Sequence, residues 1–134
     1  MKSFLLTLTL LASALPAFAA TPSLKENMKE LGVLFREIGK TVADRTRNEA
    51  NAKNAARMNE IFLAVKVQVP DSVASLPPSQ RESALAEFRA MISEIAADAL
   101  KLRDAFVAND NRTAADIVNH MNLDKREGHD KFDK

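Results

Sequence analysis

Residues 23–42 read SLKENMKELGVLFREIGKTV, and this stretch decides the fold class. Leu24, Met28, Leu31, Phe35, Ile38 and Val42 recur at steps of three and four residues. An α-helix turns by about 100° per residue, so this spacing gathers the six side chains into one apolar stripe. Ser23 stands where an N-cap belongs, and Glu26 three residues later completes a capping box. The expected first helix runs from about Ser23 to Ala43.

The same pattern recurs down the chain. A second helix is expected over roughly Asn48 to Val67, with Ala52, Ala55, Met58, Ile61, Phe62 and Val65 on its inner side. Val69-Pro70 through Leu76-Pro77-Pro78 reads as an ordered loop, because the fixed φ of proline is incompatible with a helix interior. Ser79 with Glu82 then offers a second capping box at the head of a long third helix. Its inner face carries Ala84, Leu85, Phe88, Met91, Ile92, Ile95, Ala99, Leu102 and Phe106. Asn109-Asp110-Asn111 makes a polar turn, and a fourth helix starts near Thr113 with Ala114, Ile117, Val118, Met121 and Phe132 facing inward. No strand pattern or internal repeat occurs. Four amphipathic helices with short or moderate connections predict an all-α, antiparallel up-down-up-down four-helix bundle.

The N-terminal stretch MKSFLLTLTLLASALPAFAA has the parts of a secretory signal peptide. Lys2 is the basic region, Phe4 to Leu15 the apolar region, and Ala17-Phe18-Ala19 a small-x-small cleavage site behind Pro16. The expected division is a signal peptide over 1–19 and a single domain over 20–134, cleaved after Ala19 or Ala20 and exported to the periplasm. The apolar run is short for a bilayer span, so no membrane insertion is expected after cleavage. Loss of Lys2 brings the 19 basic residues to parity with the 18 acidic ones. A neutral chain lacks the basic excess that binding a phosphate backbone requires, which argues against nucleic acid as a partner. With no cysteine, the chain has no disulfide, thiolate metal site or covalent haem attachment.

The chemistry-bearing candidates are Met28 and His129. Met28 lies about one turn into the first helix and His129 about one turn from the end of the fourth. On a helical wheel His129 falls about 20° from Val118 and joins the core stripe, whereas His120 points outward to solvent. In an up-down-up-down bundle the start of helix one and the end of helix four meet at one end. A thioether and an imidazole brought together there are an axial ligand pair for haem iron. Leu85, Phe88, Met58, Ile61, Phe62 and Val65 would supply apolar walls. Acidic residues are expected mainly on the outer faces, paired with Lys and Arg. No HExxH, P-loop, GxGxxG or EF-hand pattern is present, and the Glu-x-x-His pairs of di-iron bundles are missing. The chain is therefore not read as an enzyme. A haem-free helical bundle acting as an adaptor or ligand-binding protein is the alternative.

Two segments carry a family resemblance. Leu24-Lys25-Glu26-Asn27-Met28-Lys29-Glu30-Leu31 resembles the segment bearing the axial methionine in the soluble cytochrome b-562 family. Arg126-Glu127-Gly128-His129-Asp130-Lys131-Phe132 resembles that family's segment bearing the axial histidine. Asp98-Ala99-Leu100-Lys101-Leu102 is similar to part of its third helix, and the central prolines fall where its haem-side loop lies. The resemblance implies one noncovalent haem b per chain, held by Met28 and His129, and electron transfer with periplasmic redox partners. Gly128 stands where that family has an aromatic residue before the histidine, and Lys125 where it often has arginine.

Overall fold

The Ser23 capping box forms as its spacing requires. The Ser23 backbone N–H donates to Glu26 Oε2 at 2.7 Å, and the Glu26 N–H donates to Ser23 Oγ at 3.1 Å. The computed structural model describes residues 20–132, so the signal-peptide reading of residues 1–19 lies outside the described residues. Behind the capping box runs α1, Leu24–Thr41. A 3-10 turn over Arg45–Arg47 leads into α2, Asn48–Lys66. One helical turn, α3, occupies Asp71–Ala74, followed by α4, Pro78–Val107, and α5, Asn111–Phe132. Among the described residues there is no strand, and the fold is an all-helical bundle of four long helices.

The structure corrects three local expectations. The segment expected to be loop throughout holds α3, because Pro70 adopts φ −62° and ψ 145°, a conformation suited to the residue before a helix. Ser79 does not cap α4. Pro77 is the N-cap and Pro78 the first helical residue, where a missing N–H costs nothing and the proline φ is already helical. The serine thereby falls inside the first turn. Helix α5 starts at Asn111, ahead of Thr113, because the Asp110 carboxylate accepts from the Thr113 N–H at 3.0 Å.

Helix α2 packs against both α1 and α4, most extensively against α4, and α5 packs on α4. Ile38, Met58, Ile61, Leu102, Phe106 and Met121 are the largest apolar side chains fully withdrawn from water. Each contributes roughly 1.5–3 kcal/mol on area grounds. Small residues at Ala55, Ala99 and Ala114, all fully buried, let the helices approach closely.

Polar ties fix which helix ends meet. Asn27, near the start of α1, donates to Gln68 just beyond α2 at 3.2 Å. The end of α1 joins the first turns of α2 through the Thr41 hydroxyl, which donates to Asn51 Oδ1 at 3.0 Å. Asn111 at the head of α5 donates to the Val42 carbonyl at 2.6 Å. At the opposite end, Phe88 of α4 and Phe132 of α5 meet edge to face at 5.3 Å, and Ser72 of α3 donates to the Phe132 carbonyl at 2.5 Å. Helices α1 and α5 share no packed seam comparable to the other neighbouring pairs. That gap positions the site.

Candidate functional site

Where α1 and α5 fail to close on one another, a cavity of about 680 Å³ opens at one end of the bundle. Its walls come from the first turns of α1 (Leu24, Met28, Leu31, Phe35), from α2 (Met58, Phe62) and from the middle of α4 (Phe88, Met91, Ile92 and Ile95). Pro70 and Ser72 floor it from the α3 segment, and Gly128, His129 and Phe132 border it from the end of α5. A volume in the range of about 300–1,000 Å³ with mostly apolar walls and a few converging polar groups is typical of a cofactor site.

The cavity brings Met28 and His129 to one place. Both line it, from helices at opposite ends of the sequence. Met28 is half-buried, with its side chain packed at the edge of the core. His129 is exposed, which corrects its assignment to the core stripe. Phe132, one turn on, packs against Phe88 of α4, but α1 does not close on α5, so the imidazole stands at the rim. Of the expected walls, Met58, Phe62 and Phe88 line the cavity, while Leu85, Ile61 and Val65 do not. Ile61 and Val65 are buried in the core instead, and Leu85 is half-buried at its edge. Met91 and Ile95 were legible as core positions but not as cavity walls.

Two local features shape the rim. Gly128 lies against Met91, and a Cβ there would stand 3.0 Å from Met91 Cε and 3.2 Å from its Sδ. The aromatic side chain expected from the family pattern has no room at this position unless Met91 moves. Lys125 places its ammonium 5.7 Å from the centroid of the Phe35 ring, a cation–π contact that spans the mouth between α5 and α1. Lys125 and Lys25 both border the cavity and are cations available to anionic groups of a ligand.

His120 does not itself line this cavity, although Asp124 beside it does. Its side chain is 58% exposed, as expected, yet its Nε2 lies 3.6 Å from Asp98 Oδ2 and 3.5 Å from Asp124 Oδ2. Asp98 is buried, against the expectation that acidic residues occupy outer faces. The signal was present: Asp98 lies three residues after Ile95 and four before Leu102, on the core stripe of α4.

The mostly apolar cavity has a thioether and an imidazole among its lining residues, donors of the kind that ligate haem iron, and Lys25, Asp71, Asp124 and Lys125 are the charged groups on its border. Comparison of the chain with protein families, with curated proteins and with solved structures finds no match.

Proposed function

We propose that this chain is a periplasmic electron-transfer protein that binds one noncovalent haem b in the α1–α5 cavity, with Met28 and His129 as axial ligands. The single observation that carries the reading is that these two side chains, from the first and last helices, border the same apolar cavity. The proposal includes an antiparallel up-down-up-down course for the four long helices. The ties from Asn27 to Gln68 and from Asn111 to Val42 support it, since each joins the start of one helix to the end of another, and Phe88 in the first half of α4 meets Phe132 at the end of α5. Export to the periplasm rests on the signal-peptide pattern of the first 19 residues.

When bound, a haem supplies reversible one-electron redox chemistry, and thioether–imidazole ligation raises its potential relative to two nitrogen ligands. The protein's part is to position and to shield. His129 offers an imidazole nitrogen at the rim. Met28 offers a soft sulfur from α1. Phe35, Phe62 and Phe88 keep water from the interior, and Lys25 and Lys125 provide counter-charge for carboxylates at the mouth. Met28 and His129 would together hold the iron, which favours electron transfer with periplasmic redox partners over catalysis.

The test is titration of the purified chain with haem, followed by absorption in oxidised and reduced forms. Wild type is expected to bind one equivalent with a low-spin reduced spectrum. Met28→Ala should keep haem through His129 with weaker affinity and a high-spin spectrum, and His129→Ala should lose most binding. If wild type takes up no haem, the haem-free adaptor reading replaces this one. A variant that keeps the wild-type reduced spectrum and affinity removes its residue from the ligand pair.

A further inference from the structure

We infer that Asp98, His120 and Asp124 form a binding site for a divalent transition cation of the zinc class, on the outer face of the α4–α5 seam. Asp98 projects from α4, while His120 and Asp124 sit one turn apart on α5. One ligand atom from each of the three lies within 4.8 Å of the other two, and among the described residues no other such grouping occurs.

The independent sign of a missing cation is the state of the carboxylates. The Asp98 side chain is only 5% exposed. Its Oδ1 accepts from Lys101 Nζ at 2.7 Å, but its Oδ2 is buried, has no hydrogen-bond partner and faces the imidazole. Asp124 Oδ2 is likewise buried without a hydrogen-bond partner, 3.5 Å from the same Nε2. Buried carboxylate oxygens are stable only when paired or coordinated. Two of them converge here on one nitrogen, whose single lone pair or single N–H cannot serve both in good geometry. A cation placed between them takes all three donors at once.

Geometry and charge select the ion. With Zn–N and Zn–O bonds of about 2.0–2.2 Å, the ligand atoms of a tetrahedral site stand roughly 3.3–3.6 Å apart. The observed Nε2 to Oδ2 separations of 3.6 and 3.5 Å are tetrahedral edges of that size. A set of one imidazole and two carboxylates suits zinc-class ions, whereas calcium and magnesium prefer all-oxygen shells. Two carboxylates against the Lys101 ammonium leave net negative charge at the site. The exposed edge of His120 gives the ion a path in, and three protein donors leave a fourth position to water.

This inference does not rest on the haem reading. The experiment is isothermal titration of chelator-treated, full-length protein with Zn²⁺, repeated with Co²⁺ while the visible spectrum is read. Saturable binding of one ion with the intense visible bands of tetrahedral Co²⁺ is expected. His120→Ala and Asp124→Asn should each weaken uptake by at least about tenfold. His129→Ala should leave it unchanged, which separates the site from His129, although Asp124 borders the cavity as well. His120→Ala removes an exposed side chain, and retention of the wild-type far-UV circular dichroism certifies its fold. The inference is overturned if wild type shows no saturable uptake below ~100 µM, if uptake survives His120→Ala, or if His129→Ala abolishes it.

Discussion

Gly128 and Met91 are in contact across the α4–α5 seam such that a Cβ on the glycine would stand 3.0 Å from Met91 Cε. The glycine sits in the interior of α5, where it costs helix stability, and its small size leaves the methionine room at the cavity wall.

Gly128→Ala should therefore stabilise the apo chain. A helical Gly→Ala exchange gains roughly 0.5–1 kcal/mol. The crowded atoms are the far end of a flexible thioether bordering a cavity, so Met91 can yield into that space at small cost. Thermal denaturation should show a higher midpoint. A lower one would mean that Met91 is pinned.

His120 should be dispensable for haem. It touches Asp98 and Asp124 and does not line the cavity that His129 and Met28 border. His120→Ala is expected to keep the reduced absorption spectrum of wild type within error. Loss of the low-spin bands in this variant would transfer the ligand role to His120.

Asn48 should be the costliest polar residue to truncate at the end of the bundle away from the cavity. It is buried, and its amide donates to Asn109 Oδ1 and Asn111 Oδ1, both at 2.9 Å, while its own Oδ1 accepts from Asn111 at 2.9 Å. Asn48→Ala strands those partners and should destabilise by about 1–3 kcal/mol. Urea unfolding measures the loss. A change no larger than that of Lys53→Ala, whose ion pair with Glu49 is exposed on both sides, would show that water replaces the network.

Acid should unfold the protein in part through its helix starts. The Ser23 backbone N–H, and then its hydroxyl, hold the Glu26 carboxyl below its ordinary range. The Thr46 hydroxyl and N–H do the same for Asp44, and the Thr113 N–H and hydroxyl for Asp110. Each group binds a proton less readily folded than unfolded, so its contribution is complete above the unfolded pKa of roughly 4 and is lost as pH falls through the lower folded value. Thermal midpoints should hold near neutral pH and decline below about pH 4.5. Ser23→Ala should make that decline shallower, and an unchanged slope would show that the Glu26 cap carries no part of it.

The elements themselves were legible residue by residue. The Leu24-to-Val42 stripe and the Ser23–Glu26 box located α1 to within two residues at either end, and the apolar spacing located α2 similarly. These are local signals, set by one turn of backbone and its nearest side chains. The start of α4 slipped because proline at the first helical position outweighed the Ser79 box, while α5 began two residues ahead of the expected Thr113.

What sequence determined by itself was the helical class, the inward faces and the candidate pair Met28 and His129, all of which follow from a period of about 3.6 residues. What only the tertiary structure decided was where those faces fail to meet. Periodicity assigns His129 to the core stripe, yet it is exposed because α1 and α5 are not packed together at that level, and the resulting opening is the cavity. Likewise nothing in the spacing of α5 alone sets His120 beside a buried Asp98 from another helix. Burial and pairing depend on which helix lies opposite and how closely, and that is a property of the packed bundle.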